Sequence, residues 1–164
     1  MTEIIKMSSR AEVLAARIEE GAENLAKFAE GLTDAEWKSK VRDGRTVGVI
    51  INHVAFVYPI EVDLARGIAS GKEVGVTWEN VAELNAKHAA DTADTPKDES
   101  IALLRKNSKD AAAAIRTFTD EQLDTAAPFG LAFGAPVTSQ FVIEDHPVRH
   151  SWHHLARIKS ALGK

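Results

Sequence analysis

Residues 46–69 read TVGVIINHVAFVYPIEVDLARGIA, and the position of one histidine in this stretch decides how the chain is read. Val49, Val57, Ile60 and Leu64 stand at −4, +4, +7 and +11 from His53. At about 100° per residue all four project within about 40° of it, so the stretch is predicted to be a helix with His53 central on its core-facing stripe. Thr46 is placed to cap it. A buried imidazole needs partners for both ring nitrogens, because an unsatisfied buried polar group costs about 1–3 kcal/mol. A metal ion on one nitrogen with a carboxylate or carbonyl on the other meets that need. A hydrogen bond to another side chain, with the ring neutral, also meets it.

Working outward, helical patterns run from about Ser8 to Glu30, from Trp78 to Ala90, from Thr95-Pro96 to about Thr117, and from near Thr138 to about Leu162. Thr33-Asp34-Ala35-Glu36 has capping-box spacing and opens a short turn carrying Trp37, and Thr119 to Gln122 opens another. Asp124 to Val137 is not helical, and alternation of Phe129, Leu131 and Phe133 suggests a short strand or hairpin there. Pro59 and Pro147 fall inside two of the helices and remove their bonds to Ala55 and Ile143, which predicts bends. The expected fold is all-α: a four-helix bundle with additional short helices and one irregular crossover loop, as one domain over residues 1–164.

Four of the six histidines lie between His146 and His154. His146 and His154 are about 12 Å apart along a helix axis, too far to share one ion. Val148, Leu155, Ile158 and Leu162 mark the apolar face of the last helix, and by helical angle His154 lies nearest to it and His150 next. His146 and His153 are turned away, His153 toward solvent or groups behind the ligands. His53, His150 and His154 thus form a candidate three-nitrogen metal site. Three protein ligands leave a position open for water or substrate, as catalytic sites do. Imidazoles suit zinc, nickel, copper or iron. Glu61, Glu144 and Asp145 are the candidate acid–base or supporting carboxylates, with surface charge as their alternative reading. His88, on a polar helix, carries no assignment.

The chain has 164 residues, no cysteine and a net charge of −4. Without cysteine there is no thiolate ligand, cysteine nucleophile or disulfide. The mild acidity and lack of a Lys/Arg cluster predict no nucleic-acid partner. Met1 to Arg10 lacks a signal peptide's apolar stretch, and the other apolar runs read as too short to span a bilayer, so a cytoplasmic protein is expected.

Gly31-Leu32-Thr33-Asp34-Ala35-Glu36-Trp37, Thr46 to Val54, and His150-Ser151-Trp152-His153-His154-Leu155-Ala156-Arg157-Ile158 together resemble the DinB superfamily, which includes mycothiol-dependent maleylpyruvate isomerases and thiol transferases of the YfiT kind. The resemblance spans nearly the whole chain. It implies a four-helix bundle, often a homodimer, with a divalent metal, zinc or nickel foremost, on His53, His150 and His154. It further implies a small-molecule substrate and a low-molecular-weight thiol, used in transfer or isomerisation. Metal-dependent hydrolysis and non-catalytic, stress-related metal or ligand binding are the alternatives. Pro147, within the turn before His150, departs from the expected pattern and bears on the register at the start of the last helix.

Overall fold

The computed structural model describes residues 8–164, and what is read above for Met1–Met7 lies outside them. Helices run over Ser9–Glu30 (α1), Asp34–Lys38 (α2), Val47–Ala69 (α3), Trp78–Asp91 (α4), Lys97–Arg116 (α5), Asp120–Asp124 (α6), Ser139–Ile143 (α7) and Arg149–Leu162 (α8). A hairpin of Ala126–Pro128 (β1) and Pro136–Thr138 (β2) precedes α7. Threonines start most of these helices by accepting a backbone N–H that would otherwise lack a partner. Thr46 accepts from Val49, and Thr33, Thr77 and Thr119 each form a reciprocal capping box. For α5 the expected cap shifts by one residue. Pro96 keeps an extended ψ of 149°, so it is the cap itself and the helix starts at Lys97.

α5 packs along both α1 and α3, while the α7–α8 segment closes the opposite side against the same pair. These four make the bundle, with α1 and α3 facing one another across the core. α4 stands outside it, and His88 is its one buried residue. One expectation needs correction: as a 23-residue helix, α3 is long and apolar enough to cross a bilayer, with mean hydropathy 1.4 over its best window. The bundle itself uses that apolarity, since 72% of the window is buried against the rest of the protein.

The hairpin forms, but offset from the expected alternation. Residues 129–135 are its connection, with Phe129 and Leu131 buried and Phe133 exposed in the left-handed region at φ 57°. The loop after α3 is stitched to this connection, because Val74 N–H donates to Pro128 and Gly130 N–H donates to Val74. Only glycine fits at 130, where a Cβ would lie 2.1 Å from the Val76 carbonyl oxygen.

Both internal prolines are accommodated, by different means. Pro147 sits in a π-type turn, Glu144–Val148, that joins α7 to α8 as one continuous helix. The wider turn relieves the clash that a proline ring makes in a regular helix. On α3, Pro59 leaves the Ala55 carbonyl without its helical donor, and Asn107 of α5 supplies one at 2.9 Å. Replacing Asn107 by Ala is therefore expected to cost about 1–3 kcal/mol in urea unfolding. In a Pro59→Ala background the helix recovers its own bond, so the same replacement should cost measurably less. Equal losses in the two backgrounds would show that Asn107 does not serve the proline.

Candidate metal centre

His53 comes from the second turn of α3, and His150 and His154 from consecutive turns of α8. One nitrogen from each ring lies within 4.8 Å of the others. The ring centroids are 5.1 Å apart for His53 and His150, 5.4 Å for His53 and His154, and 4.8 Å for His150 and His154. Nε2 of His53 faces Nε2 of His150 at 3.1 Å. Two imidazole nitrogens at 2.0–2.1 Å from a common ion are about 2.9–3.4 Å apart at ordinary bond angles, so this spacing suits a shared cation.

Glu61 completes the arrangement. It is 4% exposed, and its Oε1 accepts a hydrogen bond from Nδ1 of His150. That bond fixes the tautomer: with Nδ1–H committed to the carboxylate, a neutral ring turns its Nε2 lone pair toward His53. Three buried polar atoms have no partner among the described residues, namely Nδ1 of His53, Nδ1 of His154 and Oε2 of Glu61. A buried carboxylate beside clustered imidazoles is costly unless a positive charge lies close. The donor set, the spacing and the orphaned acceptor all fit a divalent cation.

Burial, the main cause, pushes the His53 pKa down to about 3, and nearby His150, Arg45 and His88 act in the same direction. Burial likewise lowers that of His154. Both rings are therefore neutral at pH 7, as metal ligands must be. The folded pKa values lie below the unfolded value near 6.5, so the unfolded chain binds more protons below that pH. Stability from these neutral rings is full above about pH 6.5 and falls as the pH drops toward His53's folded value of about 3. Urea titrations of metal-free protein should show a loss of up to about 1.4 kcal/mol per pH unit per histidine below pH 6.5. Flat stability between pH 7 and pH 5 would contradict neutral burial.

A cleft of about 400 Å³ opens onto the three histidines. Val57, Ile60 and Leu64 of α3, Trp78, Val81 and Leu84 of α4, and Leu131 of the crossover give it an apolar wall. Arg45, Arg149 and Arg157 stand at its polar side. The other carboxylates considered from sequence divide. Asp145 lines the cleft and pairs with Arg149 at 3.1 Å, whereas Glu144 points away to Arg17 of α1. Glu144 is thus a surface ion pair and lies outside the site.

His146 corrects the helical-wheel reading. Its Nδ1 lies 3.9 Å from Glu61 Oε1 and its ring meets Phe129 edge-on. The π turn advances fewer degrees per residue than the 100° assumed, and so brings His146 round to the His150 side. His153 is exposed, as expected, at the cleft's edge. His88 was missed altogether. It donates from Nε2 to Asn52 Oδ1 at 2.9 Å, Asn52 donates to Ser100 Oγ, and the His88 ring packs on Phe56. The available signal was Asn52 itself, a polar residue in an apolar helix that needed partners. A Tyr58–Ser151 hydrogen bond, wholly buried, ties α3 to α8 one residue from His150.

Replacing Glu61 by Gln keeps the shape but loses the charge-assisted bond to His150. Zinc affinity measured by chelator competition should fall about 10–100-fold with the fold intact. Unchanged affinity would remove Glu61 from the support of this centre.

The DinB superfamily profile matches residues 17–158. No curated protein matches the chain. Among solved structures it is similar to YfiT from Bacillus subtilis, described as a probable metal-dependent hydrolase with an unusual four-helix bundle topology, at 21% identity and TM-score 0.72, covering 98% of this chain and 91% of that one. The mycothiol-dependent maleylpyruvate isomerase aligns at 18% identity and TM-score 0.69, over 90% of this chain but only 60% of the isomerase. The colibactin self-resistance protein ClbS, solved in complex with double-stranded DNA, aligns at 18% identity and TM-score 0.71, over 93% and 94% of the two chains. The expectation of no nucleic-acid partner is therefore withdrawn, since a protein of this fold is solved on DNA. Whole-chain charge sums over the surface and does not describe the local field where Arg45, Arg149 and Arg157 gather. On its matched profile and its fold, the chain belongs to the DinB superfamily.

Proposed function

We propose that this protein is a divalent-metal-dependent enzyme that transfers a low-molecular-weight thiol to a small electrophile, or isomerises a thiol adduct. The observation that carries this reading is the set of His53, His150 and His154 at the floor of an apolar cleft, with Glu61 holding one ring in its ligating tautomer. Zinc or nickel suits three imidazole nitrogens. When bound, such an ion supplies Lewis acidity that favours ionisation of a coordinated S–H or O–H group.

The remaining steps fall to the chain's own residues. His53 and His154 stay neutral through burial, and Glu61 keeps the His150 lone pair directed inward. Val57, Ile60, Leu131 and the α4 side chains exclude water from the electrophile's carbon skeleton. The chain has no cysteine, so the sulfur nucleophile comes from a separate small molecule. With Glu61 engaged by His150 and Asp145 by Arg149, the carboxylates serve ligand and arginine positions, which suits a nucleophile activated without a dedicated base. Hydrolysis is the second reading, favoured by the unpartnered Oε2 of Glu61 and by His146 beside it. A homodimer, which the superfamily resemblance implies, and a cytoplasmic location are part of the proposal.

The test is thiol consumption by zinc- or nickel-loaded protein against a panel of electrophiles, for wild type and His150→Ala. Turnover by wild type should fall at least about 100-fold in the variant, as befits loss of a ligand. Equal turnover removes the metal from the mechanism. Ester hydrolysis by wild type without thiol would move the assignment to the second reading.

A further inference from the structure

Beside the histidine cleft lies a second groove, of about 640 Å³, lined by Lys40, Arg42, His153, Ala156, Arg157 and Ser160, among others. His153 and Arg157 belong to both walls, so the two cavities adjoin. The groove's lining holds three cations and no carboxylate, on a chain whose net charge is −4.

The pairing of the arginines sharpens the contrast. Arg10, Arg17, Arg66, Arg105 and Arg116 are each paired with carboxylates elsewhere on the surface. Among the described residues, Arg42 is the arginine with no ion pair, and Lys40 has none either. Arg157 shares Asp43 with Arg45, through contacts of 2.9 and 2.8 Å, so a single carboxylate faces two guanidiniums. Arg157 uses one Nη for that contact and keeps further donors for a ligand. The arginine with no ion pair thus stands beside Lys40 and the half-committed Arg157, in a groove that adjoins the histidine cleft.

We infer that the substrate of the histidine centre is a small anion whose carboxylate or phosphate lies against Lys40, Arg42 and Arg157 while its reactive end enters the histidine cleft. The inference rests on the proposed function for the reactive end, and on the groove alone for the anionic end. Two cavities of about 400 and 640 Å³ are each within the usual range for small-molecule sites. Guanidinium and ammonium groups bind carboxylate and phosphate through charge-assisted hydrogen bonds, which orient as well as attract. Arg157, at the junction, aligns the molecule between its two ends.

The experiment has a binding arm that needs no turnover. Inorganic phosphate, succinate and a 12-base-pair DNA duplex are titrated separately into metal-free wild type, Lys40→Glu/Arg42→Glu and His150→Ala, followed by calorimetry or NMR shifts, with Lys109→Ala as a remote control. Phosphate or succinate should bind wild type, His150→Ala and the control alike, and at least about tenfold more weakly to the double variant. Tighter phosphate identifies a phosphoryl group, and tighter succinate a carboxylate. Equal binding by wild type and the double variant, or no small-anion binding at millimolar concentration, overturns the inference. DNA binding that is lost in the double variant while small anions fail to bind would reassign the groove to nucleic acid. In the turnover arm, the double variant should raise KM for anionic electrophiles about tenfold with kcat nearly unchanged, and leave neutral ones unaffected. Absence of turnover in wild type would sink the enzymatic reading while leaving the anion titration to decide the groove.

Discussion

The hydrogen bond from His150 Nδ1 to Glu61 is the interaction on which the rest of the centre depends. It joins α8 to α3 through a ring whose other nitrogen faces His53 at 3.1 Å, so a single imidazole spans two residues of α3 that lie two turns apart. Side chains on a helix lean toward its N-terminus, which lets Glu61 reach back to the level of the histidines. The bond also puts a carboxylate in the core with one oxygen unpartnered. Such a group is destabilising by itself, and a cation among the imidazoles is the natural counter-charge. Folding and metal binding would thereby be linked, because His53 and His154, costly to bury without partners, are among the residues that would hold the ion.

The two helices that meet here both contain a proline close to the site, and each defect is resolved so that the ligands keep their places. On α3 the free Ala55 carbonyl takes a donor from Asn107, which leaves the helix continuous past His53 and on to Glu61. On the last helix the π turn absorbs Pro147 before His150 is reached, so the regular spacing of His150 and His154 is preserved. The Tyr58–Ser151 bond then pins the two helices together at the same level. Burial of that pair in the core makes sliding of α8 along α3 costly, since both hydroxyls would lose their partner.

Much of this was legible from residue spacing. His53 stood out because an apolar stripe surrounded it, and the angle to Leu155 and Ile158 separated His150 and His154 from their neighbours. The threonine caps were legible because their chemistry is local. His146 was not, because a helical wheel assumes a uniform turn and the π segment breaks that assumption. His88 was misread because burial on α4 comes from the neighbouring α3, from Asn52 and Phe56, and no periodicity within α4 records it. The basic groove was hidden too. Lys40 and Arg42 are far in sequence from Arg157, and all three vanish in a whole-chain charge of −4.

The way the cleft is divided between helices bears on how one fold carries different reactions. The histidines and Glu61 sit on α3 and α8, inside the bundle, where packing and buried hydrogen bonds hold them. Trp78, Val81 and Leu84, which face them across the cleft, sit on α4, outside the bundle. That helix is fastened by the His88–Asn52 bond and by Trp78 Nε1 donating to the Leu131 carbonyl at 3.2 Å, with few buried side chains of its own. Residues on α4 can therefore change, or the helix shift, at small cost to the core, while any change at the ligand level is paid in bundle stability. The candidate centre thus sits on the rigid pair of helices and the wall facing it on the lightly held one, which is the separation expected where function is grafted onto a shared scaffold.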